Sequence, residues 1–260
     1  MGNEHRGLDE DGSPVKKSVK PSLVKKGEEK IEDIGRTSSC GVGTYEVIKY
    51  DKWRGLADRI FMNGMGVEGL TEKLDDAMRR GEVLKDGSKS FVSRVVMGDA
   101  EVVVKGYRHL GWLHSLRNTF QGSRAKRSWQ MATRLCLLGV TTPKPLAYID
   151  EFRGFLLWKS YFVYEYVSGP SLQDLLEDSA LPQKQKHRRI EQVIEVLSHL
   201  SEHGLSHGDL KHTNMISNGD EVVFIDLDAL RKGFRIGFLK RYRYEKDKAR
   251  FLRGINVSGR

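Results

Sequence analysis

The sequence predicts an α+β fold in which a small antiparallel sheet precedes a mostly helical, shortened body. Residues with β-branched side chains recur at period two between positions 83 and 105, which is typical of a half-buried sheet. Apolar residues then recur at helical spacing between positions 184 and 202. A length of 260 residues is enough to bury a core in one or two lobes.

The first 82 positions divide into two stretches of different composition. Residues 1–43 are rich in Lys, Glu, Asp, Gly and Ser with few large apolar residues, which predicts a disordered leader. Residues 44–82 form an N-terminal extension, with a strand expected over 44–49 and a short helix over 71–80. Another helix is expected from apolar residues at helical spacing: Trp53, Leu56, Ala57, Ile60 and Phe61.

The predicted sheet consists of an apolar strand, a turn at Gly98-Asp99, and a run of valines that ends in Lys105. Further strands are expected at 146–149 and 161–167. A helix between these two parts of the sheet begins after Ser123, a good N-cap, and ends at Gly139. After the sheet, Ser171 and Asp174 form a capping box for a short helix, and Gly204 closes the long helix over 184–202.

Charge is distributed unevenly along the chain. Residues 106–149 contain no Asp or Glu but several cations, which indicates either a solvated basic face or an anion-binding loop. The segment after Asp228 is also strongly basic, with apolar residues interleaved, and predicts an amphipathic basic helix. Such a helix either contacts an anionic membrane or is a body helix with one wet face. The cations of this segment are Arg231, Lys232, Arg235, Lys240, Arg241, Arg243, Lys246, Lys248, Arg250 and Arg253.

The net charge of +9 indicates an anionic partner such as a nucleotide, a phosphorylated glycan or a membrane surface. No recognisable nucleic-acid module accompanies the charge, so a nucleic-acid partner is not expected. No apolar run approaches the ~20 residues that cross a bilayer, and the N-terminus is charged where a signal peptide would be hydrophobic. The sequence therefore predicts a cytoplasmic protein.

The strongest motif is His207-Gly208-Asp209-Leu210-Lys211-His212-Thr213-Asn214, followed by Ile225-Asp226-Leu227-Asp228. Between the two lie a turn at Asn218-Gly219 and flanking apolar residues, which predict a hairpin that returns Asp226 beside Asn214. Phosphoryl transfer requires a carboxylate at the acceptor, a cation at the moving phosphate and metal ligands. The spacing supplies them as Asp209, Lys211, and the pair Asn214 and Asp226.

On these residues the chain resembles the protein-kinase-like superfamily and, within it, the bacterial lipopolysaccharide core kinases, the Kdo kinase and heptose kinase family. The resemblance covers roughly residues 83–253. Ile225-Asp226-Leu227-Asp228 stands where a protein kinase has Asp-Phe-Gly, and no Ala-Pro-Glu follows. The resemblance implies a two-lobed kinase-like fold, with an N-lobe over 83–167 and a shortened C-lobe over 168–260 that contains the catalytic loop and the basic C-terminal helix.

The resemblance also implies roles outside the motif. Lys105 corresponds to the strand lysine that binds the α and β phosphates of ATP, and Ser88 lies in a loop at the position of the phosphate-covering glycine loop. Tyr164 stands at the gatekeeper position, and the backbones of Glu165 and Val167 are expected to meet the adenine. With Asn214 and Asp226 as Mg²⁺ ligands, the expected cofactors are ATP and Mg²⁺.

One departure from the kinase pattern concerns the helix after Ser123. A kinase presents a glutamate from this helix to the strand lysine, whereas the aligned position here is Ser128. Lys105 is then expected to pair with Asp226, with another carboxylate or with the nucleotide. Asp228 is either a further metal or acceptor contact or a charged residue that opens the basic tail.

We therefore expect an ATP-dependent phosphotransferase that acts on a sugar hydroxyl of lipopolysaccharide core or a similar lipid-linked, anionic glycan. Peripheral contact with the inner face of the cytoplasmic membrane through the basic helix is also expected. Two alternatives remain open. One is a small atypical serine/threonine protein kinase, of the RIO type or like the kinase of the tRNA-threonylcarbamoylation complex. The other is a nucleotide-binding pseudokinase.

Overall fold

The computed structural model describes residues 44–59, 61–62, 70–108, 111–232 and 237–258. These residues fall within one compact unit, Ile34–Arg260. The predicted leader over 1–43 lies outside the described residues. None of the described helices has the length and apolar character needed to cross a membrane.

The structure combines antiparallel strands with helices, as the sequence predicts. The strands are β1 (Tyr45–Tyr50), β2 (Trp53–Asp58), β3 (Glu82–Asp86), β4 (Ser90–Met97), β5 (Ala100–Tyr107), β6 (Pro145–Arg153), β7 (Leu156–Glu165), β8 (Leu205–Ser206), β9 (Met215–Asn218), β10 (Glu221–Phe224) and β11 (Arg231–Lys232). The helices are α1 (Leu70–Arg80), α2 (Trp112–Gln121), α3 (Arg124–Leu137), α4 (Leu172–Glu177), α5 (Gln183–Glu202) and α6 (Gly237–Ser258).

The main sheet is larger than the small sheet that the sequence predicts. It has seven strands in the order β1-β2-β6-β7-β5-β4-β3, and each neighbouring pair is antiparallel. The hairpin of β1 and β2 comes from the N-terminal extension and joins the sheet where β2 pairs with β6. The extension is thus part of the same sheet as the strands that follow it.

The helix predicted from Trp53 to Phe61 is wrong over its first part, because Trp53–Asp58 is strand β2. From Trp53 to Ala57 the buried positions of β2 are Trp53, Gly55 and Ala57, which alternate with more exposed ones, so the same residues satisfy period two. Asp58, the last residue of the strand, is buried as well. Asp51 adopts a positive φ of 45° in the turn before β2, which folds the chain back onto β1. The next predicted member, Ile60, lies outside the described residues.

Helices α1, α3 and α4 follow the predictions closely. Helix α1 ends at Arg80, and α3 begins after Ser123, whose side chain accepts a hydrogen bond from the Lys126 amide. Ser171 and Asp174 form the predicted capping box of α4. Local sequence therefore decides these helix ends, since each capping contact spans three residues.

The two faces of the sheet pack in different cores because side chains alternate along each strand. On β5, Val102 and Val104 belong to the core that α1 covers. The alternate residue Tyr107 belongs to a second core that includes Trp129 of α3. Lys105 shares the face of Tyr107, so its side chain is directed towards the helices that follow the sheet.

The second core continues from the sheet into the loop and hairpin that carry the predicted catalytic residues. Leu210, Phe224 and Phe251 of α6 are members of it and are almost completely buried. Burying one such side chain contributes roughly 1.5–3 kcal/mol. The catalytic loop is therefore anchored in the same core as the strand of Lys105.

Candidate active site

Lys105 is a buried cation held by two carboxylates. Its side chain is 7% exposed, and Nζ lies 2.7 Å from Asp226 Oδ1 and 3.1 Å from Asp228 Oδ2. Strand β5 directs Lys105 towards Asp226, and the β9–β10 hairpin brings Asp226 to it across 121 residues of sequence. The structure thus brings together two of the residues that the sequence assigns to nucleotide and metal binding.

The hairpin before Asp226 forms where the sequence predicts it. Strands β9 and β10 pair antiparallel across a turn in which Gly219 has a φ of 54°. The Ile225 amide then donates to the Asn214 carbonyl at 2.9 Å, so Asp226 follows directly beside Asn214 along the backbone. Asp226 itself has φ 56° and ψ 63°, a left-handed conformation that costs roughly 1–2 kcal/mol in a residue with a Cβ. The hairpin and Lys105 hold it there.

Asp228 is the most densely bonded carboxylate of the site. One oxygen accepts hydrogen bonds from the Tyr107 hydroxyl and the Ser128 hydroxyl, each at 2.7 Å. The other oxygen lies 2.8 Å from Arg124 Nη2 and 3.1 Å from Lys105 Nζ. Asp228 therefore links the strand lysine to α3, which contributes both Ser128 and Arg124.

The protonation of Asp228 reflects this environment. Burial raises the pKa of its carboxyl, but the charge of Lys105, the hydrogen bonds from Ser128 and Tyr107, and the charge of Arg124 outweigh burial, and the net pKa is lowered. Burial and the charge of Asp228 raise the pKa of Tyr107 well above its ordinary value, so the phenol stays a donor. Asp228 is consequently an ionised acceptor at neutral pH.

The loop that contains Asp209 is fixed from below by α6. The amides of His207 and Gly208 donate to the two carboxylate oxygens of Asp247, at 2.8 and 3.3 Å. Arg250 also donates to the Gly208 carbonyl. Gly208 has a φ of 78°, and a Cβ there would stand 2.7 Å from the Ala229 carbonyl oxygen, so a side chain does not fit. Helix α6 thus determines the course of the loop.

Asp209 and Lys211 stand on the open side of this loop. Their side chains are 48% and 63% exposed, and Asp209 Oδ2 lies 3.5 Å from Lys211 Nζ. Asn214 faces inwards, since its amide nitrogen donates to the Asp209 carbonyl at 3.2 Å. That hydrogen bond leaves the Asn214 amide oxygen as a donor atom for a metal. Asp209, Lys211 and Asn214 therefore lie together on one short loop.

The donor set suits Mg²⁺, which is bound by one or two protein oxygen ligands together with substrate phosphates. Asn214 offers an amide oxygen and Asp226 a carboxylate. Within the described residues, no group of three or more His, Cys, Asp or Glu side chains is placed to hold a metal alone. A metal at Asn214 and Asp226 would depend on phosphate oxygens for its remaining ligands.

Ser88 lies at the exposed tip between β3 and β4. The loop is closed by hydrogen bonds from the Gly87 amide to the Ser90 carbonyl at 3.0 Å and from the Arg108 amide to the Lys89 carbonyl at 3.1 Å. From β3, Lys85 Nζ reaches to 3.9 Å from Asp226 Oδ2. The strand that leads into the Ser88 loop therefore borders Asp226.

The end of β7 and the residues that follow it contain the predicted adenine contacts. The Glu165 amide donates to the Lys144 carbonyl and the Tyr166 amide to the Glu101 carbonyl, each at 3.0 Å. In the described part of the chain, no backbone hydrogen bond engages the amide of Val167. The Glu165 amide is thus committed to the protein, whereas the Val167 amide is open to a ligand.

A cavity of about 20 Å³ lies between Lys105, Asp226 and Tyr164. This volume is room for about one water molecule. Burial, followed by the charges of Asp226 and Asp228, raises the pKa of Tyr164, so its hydroxyl is neutral. The side chains between Lys105 and Tyr164 are therefore packed closely.

His207 is completely buried and lies with its ring 6.3 Å from that of Phe224. Burial lowers the pKa of His207, with Asp247 the largest opposing charge, so the ring is neutral. His207 therefore packs beneath the loop.

Three residues of the site were not assigned from the sequence. Asp247 binds the catalytic loop, Tyr107 hydrogen-bonds Asp228, and Lys85 approaches Asp226. The sequence does distinguish Asp247 in one respect, because it is one of few acids in a basic helix. It also distinguishes Tyr107, since this residue follows Lys105 by two positions and so shares its face of β5.

Two comparisons with known proteins bear on this site. A model of the lipopolysaccharide kinase (Kdo/WaaP) family matches residues 79–254, which include every site residue predicted from the sequence. A stretch of 126 residues, 48% of this chain, is 30% identical to the "probable bifunctional tRNA threonylcarbamoyladenosine biosynthesis protein" of Methanothermobacter thermautotrophicus. The match spans 20% of the length of that relative.

Proposed function

The chain belongs to the lipopolysaccharide kinase (Kdo/WaaP) family and is a phosphotransferase, and on that basis we propose that it transfers the γ-phosphoryl group of ATP to a sugar hydroxyl. The proposed acceptor is lipopolysaccharide core or a similar lipid-linked glycan. Family membership confirms the resemblance predicted from the His207–Asn214 and Ile225–Asp228 motifs. The observation that carries the proposal is the Lys105–Asp226 contact of 2.7 Å inside the matched region.

The roles follow from exposure and charge. Asp209 is the exposed carboxylate, so it orients the acceptor hydroxyl and takes its proton, and Lys211 neutralises the transferred phosphoryl group. Lys105 binds the α and β phosphates, and Asn214 and Asp226 hold Mg²⁺. Bound Mg²⁺ supplies positive charge at the phosphate oxygens. Ser88 contributes to the loop over the phosphates, and the backbones of Glu165 and Val167 receive the adenine.

In this proposal Asp228 takes the place of the missing helix glutamate. It contacts Lys105 at 3.1 Å and receives hydrogen bonds from Ser128 and Arg124 of α3. In this proposal Asp228 keeps Lys105 oriented when Asp226 turns to the metal. Helix α3 then orients Lys105 through Asp228, a carboxylate that it hydrogen-bonds, whereas the corresponding helix of a protein kinase uses a glutamate of its own.

Lys85 lies at the edge of the proposed nucleotide site. Its side chain is 61% exposed and approaches Asp226 from β3, so in this proposal it is a further cation near the phosphates.

Labelled ATP incubated with the full-length protein and, separately, with lipopolysaccharide core and with protein acceptors tests the proposal. We expect label on the glycan and none on protein. Asp209→Asn serves as the matched inactive control, because this replacement keeps the side-chain shape. ATP consumption with no labelled glycan in any preparation would contradict the proposed acceptor.

Protein phosphorylation is the second candidate function. It is favoured by the similarity to the threonylcarbamoyladenosine biosynthesis protein over 48% of this chain, which matches the alternative drawn from the His207-Gly208-Asp209 loop. Label on a seryl or threonyl residue of an added protein, with none on glycan, would select this candidate. Binding of ATP with no transfer to either acceptor would select the pseudokinase alternative.

We also propose that α6 makes peripheral contact with a membrane, at its cytoplasmic face. One side of α6 is used inside the protein, since Asp247 and Phe251 are buried. Phe238 and Tyr242 are 71% and 64% exposed on the helix beside exposed cations such as Arg241. Co-sedimentation with anionic vesicles, lost in high salt and in a Phe238→Ser variant, tests this contact.

A further inference from the structure

A cavity of about 320 Å³ lies on the opposite side of Asp228 from Tyr164 and is unusually rich in arginine. It is formed where α2 and α3 face the segment that follows Asp226. Four of its lining residues are arginines and one is an aspartate, so its walls have a net charge of +3. The cationic members are Arg117, Arg124, Arg127 and Arg231.

The positive charge of this cavity is mostly uncompensated. Arg124 pairs with Asp228 at 2.8 Å, and Asp228 is shared with Lys105. Within the part of the chain that the structure describes, Arg117, Arg127 and Arg231 form no ion pair with a carboxylate. Burial, followed by the charges of Arg124 and Arg117, lowers the pKa of Arg127, so these cations repel one another.

Fold stability does not explain this arrangement. Arg124 and Arg127 lie in the first turn of α3, which contains no acidic residue. Cations at that end oppose the helix dipole, and like charges three positions apart on a helix destabilise it. A bound oxyanion removes this repulsion, because guanidinium groups donate in pairs to phosphate and carboxylate oxygens.

We propose that the Arg117–Arg124–Arg127–Arg231 cavity binds a phosphate or carboxylate group of the acceptor and so helps to hold the acceptor hydroxyl at Asp209. The inference deepens the proposed function, on which it rests, by naming the chemical group that the site recognises. The volume of the cavity is within the range that binds small ligands. It also gives a purpose to the stretch 106–149, which has cations and no acids.

Arg231 connects this cavity with a second basic one of about 280 Å³. The second cavity borders Gly208 of the catalytic loop and is lined by cations of α6, with Asp247 as its acid. An acceptor with more than one anionic group would therefore meet positive charge on both sides of the segment 228–231. The cations of the second cavity are Arg231, Arg243, Lys246 and Arg250.

The first test is binding of inorganic phosphate by the full chain, measured calorimetrically with a non-hydrolysable ATP analogue and Mg²⁺ at saturation. Arg127→Gln is expected to weaken phosphate binding about tenfold to a hundredfold, the range for one charge-assisted hydrogen bond. Arg117→Gln and Arg231→Gln, at exposed side chains, are expected to weaken it about threefold to tenfold. Lys126→Gln is the matched control: it removes one charge from the neighbouring position of α3 and should change binding less than twofold.

Acetate in place of phosphate distinguishes the two oxyanions, and the tighter one identifies the group. Unchanged phosphate binding in Arg127→Gln and Arg231→Gln, both with wild-type melting temperatures, would overturn the inference. Binding lost in Lys105→Ala and kept in Arg127→Gln would place the anion at the nucleotide site and would also overturn it. The inference would also be overturned if the wild-type protein bound neither phosphate nor acetate.

A kinetic arm separates this inference from the proposed function. With a glycan acceptor, Arg127→Gln should raise the KM for the acceptor by the factor seen in phosphate binding, with kcat and the KM for ATP within about twofold. Glycan phosphorylation with an unchanged acceptor KM would remove the anion site and leave the proposed function. Phosphate binding that depends on Arg127, with no glycan phosphorylation, would leave the anion site and remove the proposed function.

Discussion

The two carboxylates that flank the site, Asp228 and Asp209, differ in how far the protein has already satisfied them. Asp228 is 17% exposed and has contacts with Lys105, Arg124, Tyr107 and Ser128. Asp209 is 48% exposed, and the charge nearest to its carboxylate is Lys211 at 3.5 Å. The first arrangement is a preorganised electrostatic network. The second is a half-exposed carboxylate, which fits the role proposed for Asp209 at the acceptor.

This difference has a consequence for mutation. Changes on the Asp228 side should cost stability as well as activity, because they leave buried charges without partners. Changes on the Asp209 side should cost activity alone, because an exposed ion pair contributes about 0–1 kcal/mol. Stability and activity measured together on one set of variants therefore separate the two halves of the site.

The largest effect is expected for Lys105→Ala. Removal of the amine leaves Asp226 and Asp228 facing each other, so the free energy of unfolding should fall by about 2–4 kcal/mol. The kcat/KM for ATP should fall about 10²–10³-fold, because a positioned cation at the phosphates is lost. Denaturant unfolding and steady-state kinetics measure both. Wild-type stability in this variant would show that Lys105 is not part of a buried network.

Asp228→Asn should have the next largest effect. The amide keeps the size of the carboxylate but leaves Arg124 without its counter-charge, for a loss of about 1–3 kcal/mol at pH 7. Because the folded pKa of Asp228 is lowered, its contribution is present above the unfolded pKa and disappears as the pH falls through the folded value. The difference between wild type and variant should therefore shrink in acid. Asp99→Asn, in the exposed turn between β4 and β5, is the control and should change stability by less than about 0.5 kcal/mol.

Asp150 sharpens the comparison because it is a buried carboxylate without a close cation. It is 5% exposed and accepts a hydrogen bond from Ser160 at 2.9 Å. Burial raises its pKa to about 6, against the smaller effects of Ser123, Ser160 and Lys126. The folded protein therefore holds this proton more tightly than the unfolded chain, and stability should fall as the pH rises from about 4 to about 6.

Asp150→Asn should abolish that fall and raise the free energy of unfolding at pH 7 by about 1–3 kcal/mol. Urea unfolding between pH 4 and pH 7 measures it, with Asp99→Asn in an exposed turn as the control. A variant less stable than wild type at pH 7 would mean that the ionised Asp150 is well solvated or paired.

The smallest effect is expected for Lys85→Ala. Lys85 is 61% exposed and 3.9 Å from Asp226, so its loss should change stability by less than about 0.5 kcal/mol. The KM for ATP should rise about twofold to fivefold, since one exposed cation near the phosphates is removed. Lys89→Ala in the neighbouring loop is the matched control. A large fall in kcat would instead give Lys85 a direct part in the transfer.

Local features of this chain were predictable from its sequence. The hairpin before Asp226 follows from the turn at Asn218-Gly219, and the start of α3 follows from Ser123. These features depend on contacts between residues a few positions apart. The assignment of Asp209, Lys211, Asn214 and Asp226 to one motif is local in the same sense, and their roles remain predictions.

Features that depend on distant contacts were not predictable in the same way. Trp53–Asp58 satisfies both helical and strand periodicity, and its pairing with β6 almost 100 residues away decides for a strand. The sequence does not decide between Asp226 and other groups as the partner of Lys105. In the structure both Asp226 and Asp228 contact it. The bond from Asp247 to the catalytic loop spans 40 residues, so the scarcity of acids in the basic helix marks Asp247 but does not identify its partner.

The most direct test of the central claim, that Asp209 serves a phosphoryl-transfer site built around Lys105, Asn214 and Asp226, is the turnover of Asp209→Asn with labelled ATP and glycan. We expect turnover to fall by about 10²–10⁴-fold, the range for removal of a positioned proton acceptor. Affinity for an ATP analogue and stability should stay as in the wild type, because this side chain is half exposed. Undiminished transfer by a folded Asp209→Asn protein would contradict the account.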